Sequence, residues 1–209
     1  MKTIRKLVAT ASAVALVIVA SPAMAAAPYT VTAGSQTAGT VPIYGTTDAI
    51  YFYTDFIGFS CDSGSFTGTA NLGTNPTGLG VATIDDTEWN DCLGPLSMPL
   101  AFDQIGSWDL NAVGDTVGGV TGTTITDIAM RVASVTAGQC EYTVTGQVGG
   151  SFNENTQQLT IDDLSPDNNL VISDVLGCFG QVLAGDAAYL AMTYDITNNS
   201  DGELAIASS

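Results

Sequence analysis

Apolar residues along this chain recur at every second position, and nowhere after the first 25 residues does a 3.6-residue apolar period last for three turns. Ile50, Phe52 and Thr54 alternate with Tyr51, Tyr53 and Asp55. The same spacing links Met98, Leu100 and Phe102, then Trp108, Leu110 and Ala112. Thr124, Thr126, Ile128, Met130 and Val132 predict one strand face, with Asp127 and Arg131 on the other. Tyr142, Val144 and Val148 follow, then Leu159 and Ile161, Leu170 and Ile172, and finally Leu190, Met192, Tyr194 and Ile196. Turn-rich tracts such as Gly73–Gly78, Gly114-Asp115, Gly118-Gly119, Gly149-Gly150 and Gly185-Asp186 separate them. Many short strands between regular turns predict an all-β fold: an antiparallel β-sandwich or partly open barrel of about nine or ten strands. A short helical turn is expected near 86–92 or 180–183.

The first 25 residues follow a different rule. Lys2, Arg5 and Lys6 precede the apolar run Leu7–Ala20, Ser21-Pro22 breaks it, and Ala23-Met24-Ala25 places small residues before a cut. This predicts a secretory signal peptide cleaved after Ala25, with a run too short for a stable membrane anchor. No Cys follows it to carry a lipid, and Gly202–Ser209 holds neither an apolar anchor nor a sorting motif. The expected organisation is a signal over 1–25, an extended segment over 26–48, one β-domain over 49–199 and a flexible tail over 200–209. The expected location is outside the cell or on its surface, with no transmembrane segment.

Cleavage would leave Arg131 as the one basic residue against 21 acidic ones, and the chain has no His. The acid content is ordinary; the missing bases are the anomaly. A field of this sign repels nucleic acid, which is excluded as a partner. Without His or Lys, a Ser–His–Asp triad, a Cys–His pair, a Schiff base and His-based zinc or copper sites cannot be built. Phosphoryl transfer lacks a P-loop and a cationic clamp. Carboxylate pairs remain, and with them glycoside hydrolysis. Arg131 is expected to pair with a nearby Asp such as Asp127.

Four Cys in an exported chain predict two disulfides. Of three connectivities, Cys61–Cys92 with Cys140–Cys178 is favoured, because each pair brackets a comparable stretch. Within these stretches landmarks recur in the same order. Cys61, Thr67-Gly68, Thr83-Ile84-Asp85-Asp86 and Cys92-Leu-Gly94 match Cys140, Thr145-Gly146, Thr160-Ile161-Asp162-Asp163 and Cys178-Phe-Gly180. They predict an internal repeat over 61–94 and 140–180, each unit a hairpin closed by its own disulfide.

The densest carboxylate cluster is Asp85, Asp86, Glu88 and Asp91. It is the candidate for a structural calcium ion, although no EF-hand-type loop is present. Asp162, Asp163 and Asp167 are its counterpart in the second unit. The same four carboxylates flank Trp89, a sugar-stacking candidate, although adjacent Asp85 and Asp86 should point to opposite faces of a strand. No other cofactor is implied. Between Tyr51 and Phe59 aromatics occupy both strand faces. That pattern fits a central strand packed on two sides, or a surface that adsorbs to lipid, alkane or a neighbouring subunit.

Taken in order, Cys61 with Thr67-Gly68, Cys92-Leu-Gly94, Ser107–Ala112 with Trp108, Val120–Ile125, Cys140 with Thr143–Gly146, Ser151-Phe152-Asn153 and Cys178 resemble small secreted bacterial proteins of the alkane-oxidation activator PraB type. The resemblance spans roughly residues 58–197. It implies a secreted or surface protein linked to growth on hydrophobic substrates, and it brings no catalytic residue. The acidity and residues 29–48 depart from that pattern. The function expected is therefore non-enzymatic: surface interaction, adhesion or assembly. In an assembly, residues 26–40 would pair with a neighbour's sheet edge. The alternative is a carbohydrate- or hydrophobe-binding module using Trp89, Trp108, Tyr51 and Tyr53. A carboxylate-only glycoside hydrolase is the third reading.

Overall fold

The computed structural model describes residues 28–54, 57–136, 138–163 and 169–208. The expected signal peptide over 1–25, Asp55, Phe56 and Asp167 lie outside them. The described residues form fifteen strands: β1 (Tyr29–Ala33), β2 (Gly39–Thr47), β3 (Ile50–Thr54), β4 (Gly58–Cys61), β5 (Ser63–Asn75), β6 (Ala82–Asn90), β7 (Cys92–Leu93), β8 (Pro99–Gln104), β9 (Trp108–Val117), β10 (Val120–Ser134), β11 (Cys140–Asn153), β12 (Gln158–Asp163), β13 (Leu170–Gly177), β14 (Ala187–Asn198) and β15 (Leu204–Ser208). The helical turns are 3₁₀ turns at Pro95–Ser97 and Cys178–Gly180; residues 86–90 instead continue β6.

The strand count exceeds the expectation because short breaks split long strands. β2 and β3 run end to end along the same neighbours, as do β4 with β5, β6 with β7, β8 with β9 and β12 with β13. Counted this way there are eight staves in chain order, each antiparallel to the next. The eighth, β14, bonds back to the first through Ile50–Thr54 and Ile43–Thr46. The pairing therefore runs round in a ring, which removes the exposed edges of an open sheet.

Alternation fills the ring. Phe66, Ala70 and Leu72 of β5 point inward, as do Trp108 and Leu110 of β9, Tyr142 and Val144 of β11, and Leu190, Tyr194 and Ile196 of β14. Thr, Ser, Asp and Gln take much of the outer face. A barrel set in lipid has the opposite sense, with its apolar residues outside. In β10 the expected face is only half right. Thr126 and Asp127 together oppose Gln147, and Asp127 takes a left-handed φ of 58°. This β-bulge moves the pattern by one residue. Thr121, Thr123 and Ile125 point inward before it, Ile128, Met130 and Val132 after it, and Thr124 and Thr126 face out.

Both disulfides join the favoured partners, Cys61 to Cys92 and Cys140 to Cys178, across separations of 31 and 38 residues. Loops of that size correspond to about 3.5–4 kcal/mol of lost unfolded-state entropy each. The repeat is looser than the landmarks suggest. Cys61 and Cys92 close the β5–β6 hairpin, but Cys140 and Cys178 bracket three strands, with β11 pairing to both β12 and β13. Ile84 sits opposite Gly68, whereas Ile161 sits opposite Gly150, not Gly146. At both glycines an added Cβ would collide with the carbonyl of Thr83 or Thr160, so both pairs need Gly for close approach.

The first and last strands of the described residues belong to the same fold, where an extended segment over 26–48 and a flexible tail over 200–209 were expected. β1 pairs with β5 and with β15. Leu204 and Ile206 are buried because the run Leu-Ala-Ile-Ala alternates like any strand. The outer edge of β15 is covered by side chains. Gln157 accepts from Leu204 N at 3.0 Å and donates to its carbonyl at 2.8 Å. Thr121 donates to the Ile206 carbonyl at 2.6 Å, and Thr116 Oγ1 accepts from Ser208 N at 2.8 Å. Tyr29, on β1, donates its hydroxyl to the Gly114 carbonyl at 2.5 Å. The β1–β15 ribbon is thereby held against the β9–β10 turn.

Ile206 is 1% exposed. The Ile206→Ala variant should lose about 2–5 kcal/mol and melt roughly 5–15 °C lower by circular dichroism. A melting point within 1–2 °C of wild type would mean that the strand is not docked.

Burial raises the pKa of the Tyr142 and Tyr194 phenols far above the ordinary value. A raised acid group stabilises the fold below its unfolded pKa of about 10 and loses that contribution as pH climbs beyond it. Ultraviolet titration of the seven tyrosines should show that at least Tyr142 and Tyr194 ionise only with unfolding. Smooth titration of all seven in the folded protein would contradict this.

Candidate functional site

The two tryptophans are structural. Trp89 is 8% exposed and donates from Nε1 to the Tyr194 hydroxyl at 3.2 Å. Trp108 is 4% exposed and donates to the Ala129 carbonyl at 3.3 Å. Neither indole offers a face to a ligand, because the inward phase of β6 and β9 turns both into the core. Tyr51 and Tyr53 have the opposite phase and stand outside at 46% and 38% exposure. β3 is thus covered on one face only, not on two.

The four carboxylates of the calcium and hydrolase readings are not brought together. Asp85 is the extra residue of a bulge between Ile84 and Asp86, so it and Asp86 both face out, against the expected alternation. Glu88 is exposed, and Asp91 sits in the β6–β7 turn at a φ of 53°. Among the described residues no three His, Cys, Asp or Glu side chains gather in a way that could hold a metal ion.

Arg131 pairs across the sheet, not with Asp127. Its Nε donates to Glu141 at 2.7 Å and its Nη1 to Asp103 at 3.3 Å. Asp103 lies directly opposite on β8, and Glu141 diagonally opposite on β11. The bulge gives Asp127 its own contact, a hydrogen bond from Thr126. Arg131 thus ties three staves on the outer face. Its hydrogen bond and charge hold the Glu141 carboxyl below the usual carboxylate range.

The feature with the chemistry of a site lies at the disulfide end. Phe59, Val182 and the Cys140–Cys178 bridge line a cavity of about 270 Å³. Met98 and Pro99, beside the 95–97 turn, form one wall, and Phe179 another. Gln139 and Gln181 are the polar members. Among the described residues that line it none is charged, in a chain with 21 acidic residues. The backbone beside it is strained. Gly177, Cys178, Phe179 and Gly180 all have left-handed φ values, between 53° and 75°. For Cys178 and Phe179 this costs about 1–2 kcal/mol each. The bond from Cys178 N to the Gln139 carbonyl at 2.8 Å, with the disulfide, holds the turn. Phe179 is left 73% exposed beside the opening, and Leu183 just beyond it is 53% exposed.

Sequence reasoning missed this site. The signal available was the run Gly-Cys-Phe-Gly at 177–180, in which two glycines flank an aromatic residue fixed by a neighbouring Cys. Comparison with family models, with curated proteins and with solved structures found no match.

The Glu141 pairing is fully present above the unfolded carboxyl's titration and is lost as pH falls through the lowered folded value. The melting-point difference between wild type and Arg131→Gln should therefore shrink as pH drops below about 4. A difference independent of pH would show that the pair adds nothing through Glu141.

Proposed function

We propose that the protein is a non-enzymatic, exported or surface-held barrel that engages hydrophobic material through its disulfide-end cavity. The observation that carries this reading is an uncharged apolar cavity with a strained, exposed Phe179 at its edge. Apolar clefts with a few placed polar groups are the common form of small-molecule sites. At about 270 Å³ the cavity is just below the usual range. It suits the end of a hydrocarbon chain or a small neutral ring more than a whole lipid. Exposed aromatic and aliphatic groups grouped at one place favour contact with an apolar surface. Strained backbone at non-glycine residues points the same way, since folds keep such strain where a side chain must be presented.

The absence of His and the scattering of Asp85, Asp86, Glu88 and Asp91 weigh against catalysis by any of the arrangements considered. The chain's acidity disfavours anionic lipid, so the partner is neutral. The resemblance to PraB-type proteins agrees with a role at hydrophobic substrates. Assembly by donation of residues 26–40 is less favoured, because β1 is already paired on both sides within its own chain.

A neutral fluorescent hydrophobe, N-phenyl-1-naphthylamine, should bind the mature protein with saturable enhancement. The Phe179→Ser variant should bind about tenfold or more weakly, as loss of a partly buried aromatic contact implies. Unchanged binding in a folded Phe179→Ser variant would overturn the reading, as would the absence of any enhancement.

A further inference from the structure

A second surface, on the flank of the barrel, has different chemistry. β14 pairs with β3 up to Met192–Ile50 and resumes with β2 at Asp195–Thr46. Residues between Thr46 and Ile50 leave the ladder in a turn closed by the Thr47 hydroxyl on the Ala49 carbonyl at 3.0 Å. The wall is interrupted beside Thr193, and a groove of about 530 Å³ opens there. Cross-strand rows order its lining. Tyr51, Ala191 and Asp162 form one row, because Tyr51 opposes Ala191 and Ala191 opposes Asp162. Thr193 and Thr160 form the next, and Asp195 and Gln158 the third. Asp48, on the turn, borders the opening.

Ala191 is small, so the Tyr51 ring stands as a wall over a depression. That ring lies nearly parallel to Tyr53, with planes 11° and centroids 6.3 Å apart. Tyr53 is fixed in turn by Gly58 opposite it, where an added Cβ would lie 3.1 Å from the ring. A second depression of about 360 Å³ begins on the far side and is lined by both Tyr51 and Tyr53. The two form a track along the barrel's flank, with Tyr51 common to both.

The polar groups specify what fits. Asp48, Asp162 and Asp195 are exposed acceptors. Gln158 already donates to Asp195 at 3.0 Å. The Thr160 and Thr193 hydroxyls bond each other at 3.2 Å, which uses one of their two protons. A complementary ligand is rich in hydroxyl donors, has an apolar face for a tyrosine ring, and carries no negative charge. A divalent cation does not fit, because among the described residues Asp48, Asp162 and Asp195 do not come together closely enough to hold a metal ion. We infer that this groove binds a neutral polysaccharide, with Tyr51 as the stacking wall and Asp48, Asp162 and Asp195 accepting from sugar hydroxyls. The site shares no lining residue with the hydrophobe cavity except Phe59, at the far end of the track.

Affinity electrophoresis of the mature protein, in EDTA, through gels containing laminarin, mannan, arabinoxylan or dextran tests this, with alginate as the anionic comparison. At least one neutral polymer should retard the protein, and alginate should not. Tyr51→Ala and Asp162→Asn should each weaken that retardation about tenfold. Phe179→Ser should leave it unchanged, so failure of the hydrophobe reading and failure of this one remain distinguishable. Both groove residues are exposed, and wild-type melting curves for the variants would establish folding. No retardation by any neutral polymer would overturn the inference. So would retardation that persists in Tyr51→Ala, or a groove that binds a lysine-rich peptide instead.

Discussion

Closure of the hydrogen-bond ladder between β14 and the β2–β3 stave is the constraint on which the rest depends. Without that seam the eight staves would be an open sheet with two long unpaired edges, and the inward residues would lack an opposite wall. With it, Phe66 meets Tyr194 ring to ring at 5.0 Å, and Trp89 on the third stave reaches the same tyrosine. The seam also creates the groove, because β14 changes partner there from β3 to β2. A single topological requirement thus sets the core and one of the two candidate surfaces.

The two ends of the barrel are finished differently. One is covered by β1 and β15 and secured by Gln157, Thr116, Thr121 and Tyr29. The other carries both disulfides and the apolar cavity. The division has a physical logic. Where a ribbon covers the end, main-chain and side-chain hydrogen bonds supply the cohesion. At the other end, covalent bridges lie beside turns whose backbone is strained.

The sequence was legible where a residue's environment is set by its immediate neighbours. Alternation identified the inward faces of β3, β9, β11 and β14, and the comparable stretches between the cysteines singled out the pairing that forms. It failed where a bulge intervened. Asp127 reverses the phase of β10, and Asp85 brings two carboxylates to one side. Neither bulge follows from local composition, since each depends on the register of a partner strand. Trp89 and Trp108 were misjudged as ligand platforms because their phase within β6 and β9 decides burial, and that phase was visible for Trp108 in its alternation with Leu110. Arg131 found partners on two other strands, a contact that only register reveals. The cavity and the groove share this origin. Each is a property of strands distant in sequence; the groove leaves no motif, and the cavity only the Gly-Cys-Phe-Gly run at 177–180.

The position of the seam in the chain has a kinetic meaning. The first stave must wait for the eighth, since Ile43 pairs with Asn198 and Ile50 with Met192. Local hairpins form early, but no intermediate lacking residues 187–198 can shut the ring. Long-range pairing of this kind slows folding. If the chain is exported before it folds, as proposed, such a delay would keep the polypeptide threadable until almost all of it had crossed, with the disulfides forming in loops still free to bring their cysteines together.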